Sequence, residues 1–202
     1  MAVSAIAINC SLVKTGARKS STDAMIAVLR EAFAAHGVAI SETLRIADCN
    51  VAPGVSSDEG KGDDWPALRA KILAHDILVF GGPIWMGQIG SIAKRVLKRM
   101  DAFIYEADAQ GRLPSYGKVA VTAIVGNEDG AHWSSAQLFQ SLNDTGWTIP
   151  AVAACYWVGE AMHNVDFKDL AYRPRKVSET AAMVAANASH LAALLKGSPY
   201  PG

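Results

Sequence analysis

The chain has 202 residues, of which 50% are hydrophobic, and its 19 Lys and Arg residues balance its 19 Asp and Glu residues. This length and apolar content fit one domain, residues 1–202, and exclude general disorder. The zero net charge argues against a dedicated nucleic-acid binder and against a strongly acidic carrier. Cys10, Cys49 and Cys155 form no CxxC pair, so neither a disulfide framework nor a zinc site is expected. Without a signal-peptide pattern or an apolar run of about 18–20 residues, we expect a cytoplasmic protein that does not enter a membrane.

Short apolar runs alternate with longer segments of helical periodicity. Strand-like runs and helical segments follow one another at residues 3–9, 21–36, 38–46, 65–74, 76–80, 88–103, 118–125, 134–143, 148–158 and 175–195. Pro150 confines the fifth strand to a start, a bulge or an edge position. Five β-α repeats predict an α/β fold with helices on both faces of a parallel sheet. They are too few for an eight-fold barrel of about 250 residues.

The loop after the first strand is rich in hydroxyl groups and cations. In open parallel sheets, ligands bind beyond the carboxyl ends of the strands, which selects residues 10–22, 81–88 and 126–132. A helix N-terminus suits a phosphate, although Ser21 or Thr22 could serve only as the N-cap. The spacing matches neither GxGxxG nor GxxxxGK(S/T), which argues against dinucleotide-only and NTPase sites. The polar residues of this loop include Ser11, Lys14, Thr15, Arg18, Lys19, Ser20, Ser21 and Thr22.

The other two loops complete a possible ligand site. Ile84, Trp85 and Met86 follow two glycines and a proline, where solvated residues are expected, so they indicate a flat ligand or a subunit contact. The alternative is that Trp85 packs beneath the next helix. Residues 126–132 (GNEDGAH) offer glycines for close approach and several polar groups, although the segment also fits an ordinary turn. A phosphate cradle, an apolar shelf and a glycine-rich edge at one switch point are typical of an FMN site.

The chain resembles the NAD(P)H-dependent FMN reductase family of flavodoxin-like proteins over roughly residues 3–170. The resemblance is carried by Ser11 with residues 20–23 (SSTD), and by residues 82–88 (GPIWMGQ), 126–132 and 156–162 (YWVGEAM). It implies a flavodoxin-like three-layer sandwich, with a five-stranded parallel sheet in the order 2-1-3-4-5.

The resemblance also implies roles for particular residues. By resemblance, the FMN phosphate is held by Ser11, Ser20, Ser21 and Thr22, the isoalloxazine is bordered by Pro83, Ile84, Trp85, Met86 and Gly87, and its other edge is covered by Gly126, Asn127, Glu128, Asp129, Gly130 and His132. The usual Gly-Ser-Pro-Arg opening is Cys10-Ser11-Leu12-Val13 here, which leaves Lys14 or Arg18 to replace the missing arginine. No catalytic side chain is implied, because flavin N5 carries the hydride. No metal is expected, and Cys49 alone does not suffice for an iron–sulfur cluster.

The implied function is an NAD(P)H oxidoreductase that passes electrons through FMN to a small acceptor such as a quinone or free flavin, with NADPH or NADH as co-substrate. One alternative is a flavodoxin-type electron carrier, which the neutral charge disfavours. Another is a flavin-free regulatory protein that keeps the fold. We expect neither nucleic-acid nor membrane partners, and a homodimer or homotetramer.

Several further residues have both a structural and a functional interpretation. Cys10 is expected to be a core residue rather than a reactive thiol, and His132 to be structural. The cations Lys94, Arg95, Lys98 and Arg99 are expected on a solvated helix face, paired with acids such as Asp101, rather than at the 2′-phosphate of NADPH. Core or dimer contacts are expected for Trp133, Trp147 and Trp157. The candidates for the substrate rim are Glu160, Met162 and His163.

Overall fold

A computed structural model describes residues 2–201 of the chain. Its strands are β1 (Ala5–Asn9), β2 (Ile40–Arg45), β3 (Ile77–Trp85), β4 (Gln88–Ile89), β5 (Val119–Gly126) and β6 (Ala154–Val158). Five of them form a parallel sheet in the order β2-β1-β3-β5-β6, while β4 pairs with β3 in an antiparallel hairpin. Because β5 and β6 are the fourth and fifth parallel strands, the expected order 2-1-3-4-5 and the flavodoxin-like fold are confirmed.

Helices cover both faces of this sheet. They are α1 (Ser21–Ala34), α2 (Trp65–Leu73), α3 (Ser91–Met100), α4 (Ala131–Asp144) and α5 (Arg175–Gly197). One core contains Met25 and Phe33 of α1 with the alanine-rich face of α5. The other contains Trp65 of α2, Val96 of α3 and Leu138 of α4. No helix among residues 2–201 combines the length and the apolarity needed to cross a bilayer.

Strand β3 extends five residues beyond the predicted end at residue 80, because its pairing with β5 continues through the two glycines and the proline. A Cβ added to Gly81 would lie 2.8 Å from Ile26 Cδ1 and 2.9 Å from Thr22 Cγ2. Glycine therefore allows the first turns of α1 to lie directly against β3. The prediction of a loop here was wrong, since hydrophobic pattern alone does not show a glycine-proline segment continuing a strand.

Three other predicted boundaries also shift. The fifth parallel strand begins at Ala154, because Thr148 makes only an isolated bridge and Val152 turns the chain with φ +55°. Helix α3 begins at Ser91, since the first two positions of the predicted helix, residues 88 and 89, form β4 and Gly90 is the N-cap. Helix α4 begins at Ala131, three residues earlier than predicted, which places His132 on the helix.

Arg99 departs from the predicted solvated cluster. Its side chain is 0% exposed and pairs with Asp63, which is 1% exposed, at 2.6 Å. It also donates to the carbonyl oxygens of Ser56 and Ala52, each at 2.9 Å. The guanidinium thus fixes the loop of residues 50–64 to α3, so Arg99 is not available to a nucleotide phosphate. Lys94 and Lys98 remain exposed, as predicted.

Candidate functional site

A cleft of about 210 Å³ lies at the carboxyl ends of the parallel strands. It lies where the sheet order reverses between β1 and β3, as expected for this architecture. Four segments contribute its walls: the loop after β1 with the start of α1, the end of β3, the end of β5, and the end of β6 with the segment after it. The lining residues from the first three segments include Ser11, Leu12, Val13, Arg18, Lys19, Ser20, Ser21, Thr22, Pro83, Ile84, Trp85, Val125, Gly126, Asn127 and Glu128.

Most of the sequence-predicted site residues therefore meet in one cleft. Five of them lie outside its wall: Met86, Gly87, Asp129, Gly130 and His132. Met86 and Gly87 form the turn of the β3–β4 hairpin, and Met86 is 87% exposed with φ +52°. The Met86 N–H donates to Glu128 Oε1 at 3.0 Å, so the hairpin is attached to the loop after β5.

His132 and Gly130 lie at the start of α4, outside the lining of the cleft. The Nε2 atom of His132 lies 3.0 Å from the Tyr156 hydroxyl, and the two rings meet edge to face. Gly130 has φ +110°, and a Cβ there would lie 2.5 Å from the Gly87 carbonyl oxygen. This position therefore requires glycine, because it combines a left-handed backbone with close contact to the hairpin.

The serines of the loop after β1 form an ordered hydrogen-bond chain. Ser20 is the N-cap of α1, and its Oγ accepts from the Asp23 N–H at 3.3 Å and from Asn9 Nδ2 at 3.4 Å. The single hydroxyl proton of Ser20 is directed to Ser11 Oγ, 3.3 Å away. Ser11 Oγ acts here as an acceptor, so its own proton is free for a ligand. The cap is thus Ser20, and neither Ser21 nor Thr22 has that role.

The hydroxyl of Ser21 can also donate its proton to a ligand. Its Oγ accepts from the backbone N–H of Lys168 at 3.3 Å, which leaves its hydroxyl proton free to donate. The N–H groups of Ser21 and Thr22 lie in the first turn of α1, where intrahelical acceptors are absent. These donors, with the cations of Arg18 and Lys19, match the requirements of a phosphate group.

Charged side chains from the end of β2 and from the turn after it bind the loop that follows β1. Arg45, at the end of β2, pairs with Asp23 and donates to the Val13 carbonyl oxygen at 2.9 Å. Asp48 accepts from the Thr15 N–H at 3.0 Å and from its hydroxyl. The Thr15 hydrogen bonds lower the pKa of Asp48, so this carboxylate stays ionised. The loop is therefore fixed to the end of β2 through Arg45 and to the turn after β2 through Asp48.

Aromatic and branched side chains form the opposite part of the cleft. Trp157 and Phe167 pack against each other with ring centroids 5.6 Å apart. Trp85 is 52% exposed, whereas Ile84 is buried and also lines the cleft. A Cβ on Gly126 would lie 2.8 Å from Ile84 Cβ, so this glycine allows the loop after β5 to approach β3. Trp157 packs against one hydrophobic core, as expected, and it also lines the cleft.

The fourth wall was largely missed from the sequence. It comes from residues 159–170, hereafter the strap, which contribute Asp166, Phe167 and Lys168 to the cleft. Asn127 Nδ2 donates to Asp166 Oδ1 at 3.4 Å and to the His163 carbonyl oxygen at 3.1 Å. The available signal was position, since the strap follows β6 and therefore starts at the same carboxyl edge.

The buried cysteines have no features of reactive thiols. Cys10 is 1% exposed, and burial raises its pKa far above the ordinary value. Burial likewise raises the pKa of Cys155 to about 12. A thiol that stays protonated is a poor nucleophile, so Cys10 is a core residue, as predicted.

The sequence profile of the NADPH-dependent FMN reductase family matches residues 3–162. The chain belongs to this family. The expected resemblance is therefore confirmed, as are the expected kind of enzyme and its cofactors, FMN with a reduced nicotinamide as co-substrate.

Two curated proteins and one solved structure are informative relatives. The 8-demethyl-8-aminoriboflavin-5′-phosphate synthase of Streptomyces davaonensis is 29% identical over 210 residues, covering 99% of this chain and 81% of the synthase. The crystal structure of RosB with bound 8-demethyl-8-formylriboflavin-5′-phosphate has a TM-score of 0.87 at 29% identity, covering 100% of this chain and 83% of that one. A protein named divalent metal cation transporter MntH, from Mycobacterium bovis, is 37% identical over 161 residues, or 78% of this chain. The chain spans only 23% of the length of that relative.

The donor set of the cleft fits FMN. The hydroxyls of Ser11 and Ser21 and the first turn of α1 provide protons for a phosphate, while Trp85 and Trp157 provide apolar surface for a flat ring. These features lie on different walls of one cleft, so a phosphate and a ring can be bound together.

Proposed function

We propose that the chain uses FMN to pass electrons from NADPH or NADH to a small acceptor such as a quinone or free flavin. One observation carries this proposal: a single cleft joins a helix N-terminus with free hydroxyl protons to a wall of aromatic side chains. When bound, FMN supplies the hydride chemistry. The residues of the chain bind, orient and shield it.

In this proposal the phosphate is held by Ser11, Ser21, Thr22 and Arg18, with Ser20 fixing the position of Ser11. The isoalloxazine is bordered by Pro83, Ile84 and Trp85. Its outer edge faces residues 126–128. Met86, Gly87, Asp129, Gly130 and His132 are proposed to act through the hairpin and the loop that they stabilise, rather than as the cleft wall.

The proposed acceptor enters from the open side of the cleft. Trp85 is half-exposed there, and an adjoining depression is lined by residues 127–129 and by parts of the strap that include Met162 and His163. A half-exposed aromatic surface favours a flat, partly apolar acceptor. This supports a quinone or a free flavin over a charged protein partner, as does the zero net charge.

Anaerobic reduction tests the proposal. The FMN-loaded protein is mixed with NADPH or with NADH, and flavin absorbance is followed. Bleaching by either nicotinamide, followed by recovery when a quinone or free FMN is added, supports the proposal. Flavin that is retained but stays oxidised overturns it in favour of an electron carrier.

A second candidate function is chemical change of a bound flavin phosphate. The observation that favours it is the similarity to the Streptomyces synthase over 99% of the chain. The name of that relative describes a modified riboflavin phosphate as its product. Mass spectrometry of the flavin released after turnover separates the two functions, since a cofactor keeps its mass and a substrate does not.

We also propose that two copies pair through the groove between α3 and α4. Trp133 is 60% exposed and Ile104 is 42% exposed at this groove. The groove carries both Lys98 and Asp144, so a two-fold contact can match opposite charges. Light scattering of the wild type and of Trp133→Glu tests this, because the variant is expected to shift a dimer to a monomer.

A further inference from the structure

Lys168 lies beside the part of the cleft where the phosphate is proposed to bind. Its backbone N–H donates to Ser21 Oγ at 3.3 Å, which places residue 168 against the first turn of α1. Its side chain lines the cleft and is only 20% exposed. Arg18 and Lys19 also line the cleft but are exposed residues. A partly buried charge is less screened by salt, so Lys168 is the cation best placed to act on a ligand.

The ammonium of Lys168 is held by two carboxylates of the same strap. Nζ lies 2.8 Å from Asp166 Oδ2 and also pairs with Asp169. The hydrogen bonds that Lys168 donates to these two acids raise its pKa, so it stays charged. The side chains of Asp166 and Asp169 are 46% and 50% exposed, so both acids are partly hydrated. Such pairs are weak, because water competes for both partners.

A phosphate monoester carries about −1.5 to −2 charges at neutral pH, more than either carboxylate. It would also lie at a helix N-terminus, where an anion is favoured. An ammonium on a flexible four-carbon stem can turn from Asp169 toward such a group without moving the backbone.

We infer that Lys168 determines specificity for the phosphate of the flavin, so that the site selects FMN over riboflavin. The inference rests on the proposed function and extends it, because it assigns this selection to the strap rather than to the loop after β1 alone. Asp169 is the competitor from which the ammonium is released, and Asp166 keeps the stem oriented through Asn127.

Two substitutions with opposite expected effects on FMN affinity distinguish phosphate recognition by Lys168 from a purely structural role of its ion pairs. Lys168→Met removes the charge, so the affinity for FMN is expected to fall about tenfold or more, as for loss of one hydrogen bond to a charged group. Riboflavin affinity is expected to stay the same. Asp169→Asn removes the competing carboxylate, so FMN affinity is expected to rise a few-fold. If the ion pairs only held the strap in place, both substitutions would weaken both flavins.

The experiment titrates the flavin-free full chain with FMN and with riboflavin at low and high salt. The proteins are the wild type, Lys168→Met, Lys168→Arg, Asp169→Asn and the control Lys61→Met, which makes the same charge change at an exposed residue outside the cleft lining. Lys168→Arg is expected to keep the preference for FMN. The salt dependence of FMN binding is expected to be smaller in Lys168→Met than in the control.

If Lys168→Met keeps the wild-type ratio of FMN affinity to riboflavin affinity, the inference is overturned. An equal fall in the affinities for both flavins would give that same result. If such a variant is still bleached by NADPH, the proposed function stands while the inference fails. If the wild type binds neither flavin, both fail. Should Lys168→Met not fold, a fall in FMN affinity in Asp169→Asn would overturn the inference independently.

Discussion

The hydroxyl of Ser20 donates a hydrogen bond to the hydroxyl of Ser11 across 3.3 Å, so one serine of the loop after β1 positions another. Because Ser20 also caps α1, one side chain fixes both the start of the helix and the Ser11 hydroxyl that is proposed to bind the phosphate. The serines of this loop therefore have different roles, although they look equivalent in sequence.

The first prediction separates those roles. Ser11→Ala combined with Ser21→Ala removes the two free hydroxyl protons, so FMN affinity should fall about tenfold or more. Ser20→Ala removes the N-cap and should lower the free energy of unfolding by about 1 kcal/mol. Urea unfolding and FMN titration of each variant provide the measurement, with Ser198→Ala as an exposed control. Unchanged FMN affinity in the double variant would show that the phosphate binds elsewhere.

The second prediction concerns two adjacent glycines of β3. In Gly81→Ala the new Cβ would lie within 3 Å of side-chain methyl groups of Ile26 and Thr22 on α1, so these buried side chains or the helix must shift. Overpacking of this kind costs about 1–3 kcal/mol. In Gly82→Ala the nearest atom, Cys10 Cβ, is 3.9 Å away, so this matched change should be nearly neutral. Chemical denaturation distinguishes the two, and equal stability of both variants would contradict the packing of α1 on β3.

The parallel sheet and the position of the cleft follow from the sequence because both depend on local pattern, whereas the strand order was implied only by the family resemblance. Alternation of apolar runs with helical periods implies the parallel sheet, and the carboxyl edge then gives the site. The extent of β3 does not follow in the same way. Gly81 and Pro83 are turn-forming residues by composition, and pairing with the neighbouring strands keeps them extended, Gly81 with both β1 and β5 and Pro83 with β5.

The fourth wall of the cleft depends on contacts that no local pattern shows. Lys168 meets Ser21 across 147 positions of sequence, and Trp157 meets Phe167 only after the strap folds back over β6. Arg99 illustrates the same limit. It lies in a basic helical cluster, yet it is buried because Asp63 and two carbonyl groups of a distant loop surround it.

The third prediction tests the aromatic wall. Trp157→Ala removes the ring that packs on Phe167 and lines the cleft, so FMN affinity should fall about tenfold, since aromatic pairs contribute roughly 0.5–1.5 kcal/mol beyond their buried area. Trp157→Phe keeps an aromatic ring and should retain most of the affinity. Flavin fluorescence titration measures both. Equal affinities for the two variants would indicate that Trp157 lies outside the flavin contact.

The fourth prediction concerns the pH dependence of stability through the buried pair of Asp63 and Arg99. Burial alone would raise the pKa of Asp63, but hydrogen bonds from Arg99 and from backbone N–H groups outweigh it and hold the pKa far below its ordinary value. A group with a depressed folded pKa stabilises the protein above its unfolded pKa of about 3.9, and this stabilisation is lost as the pH falls toward the folded pKa.

The free energy of unfolding should therefore fall as the pH drops below about 4, and part of that fall should be absent in Asp63→Asn. Arg99→Met leaves a buried carboxylate without its cation, so it should cost roughly 3–5 kcal/mol at neutral pH. Since Asp63→Asn keeps an acceptor for the guanidinium but removes its charge partner, it should be destabilising at pH 7 and converge with the wild type in acid. Denaturation between pH 7 and pH 3 measures both effects. Parallel pH profiles for the wild type and Asp63→Asn would show that this carboxylate does not titrate with folding.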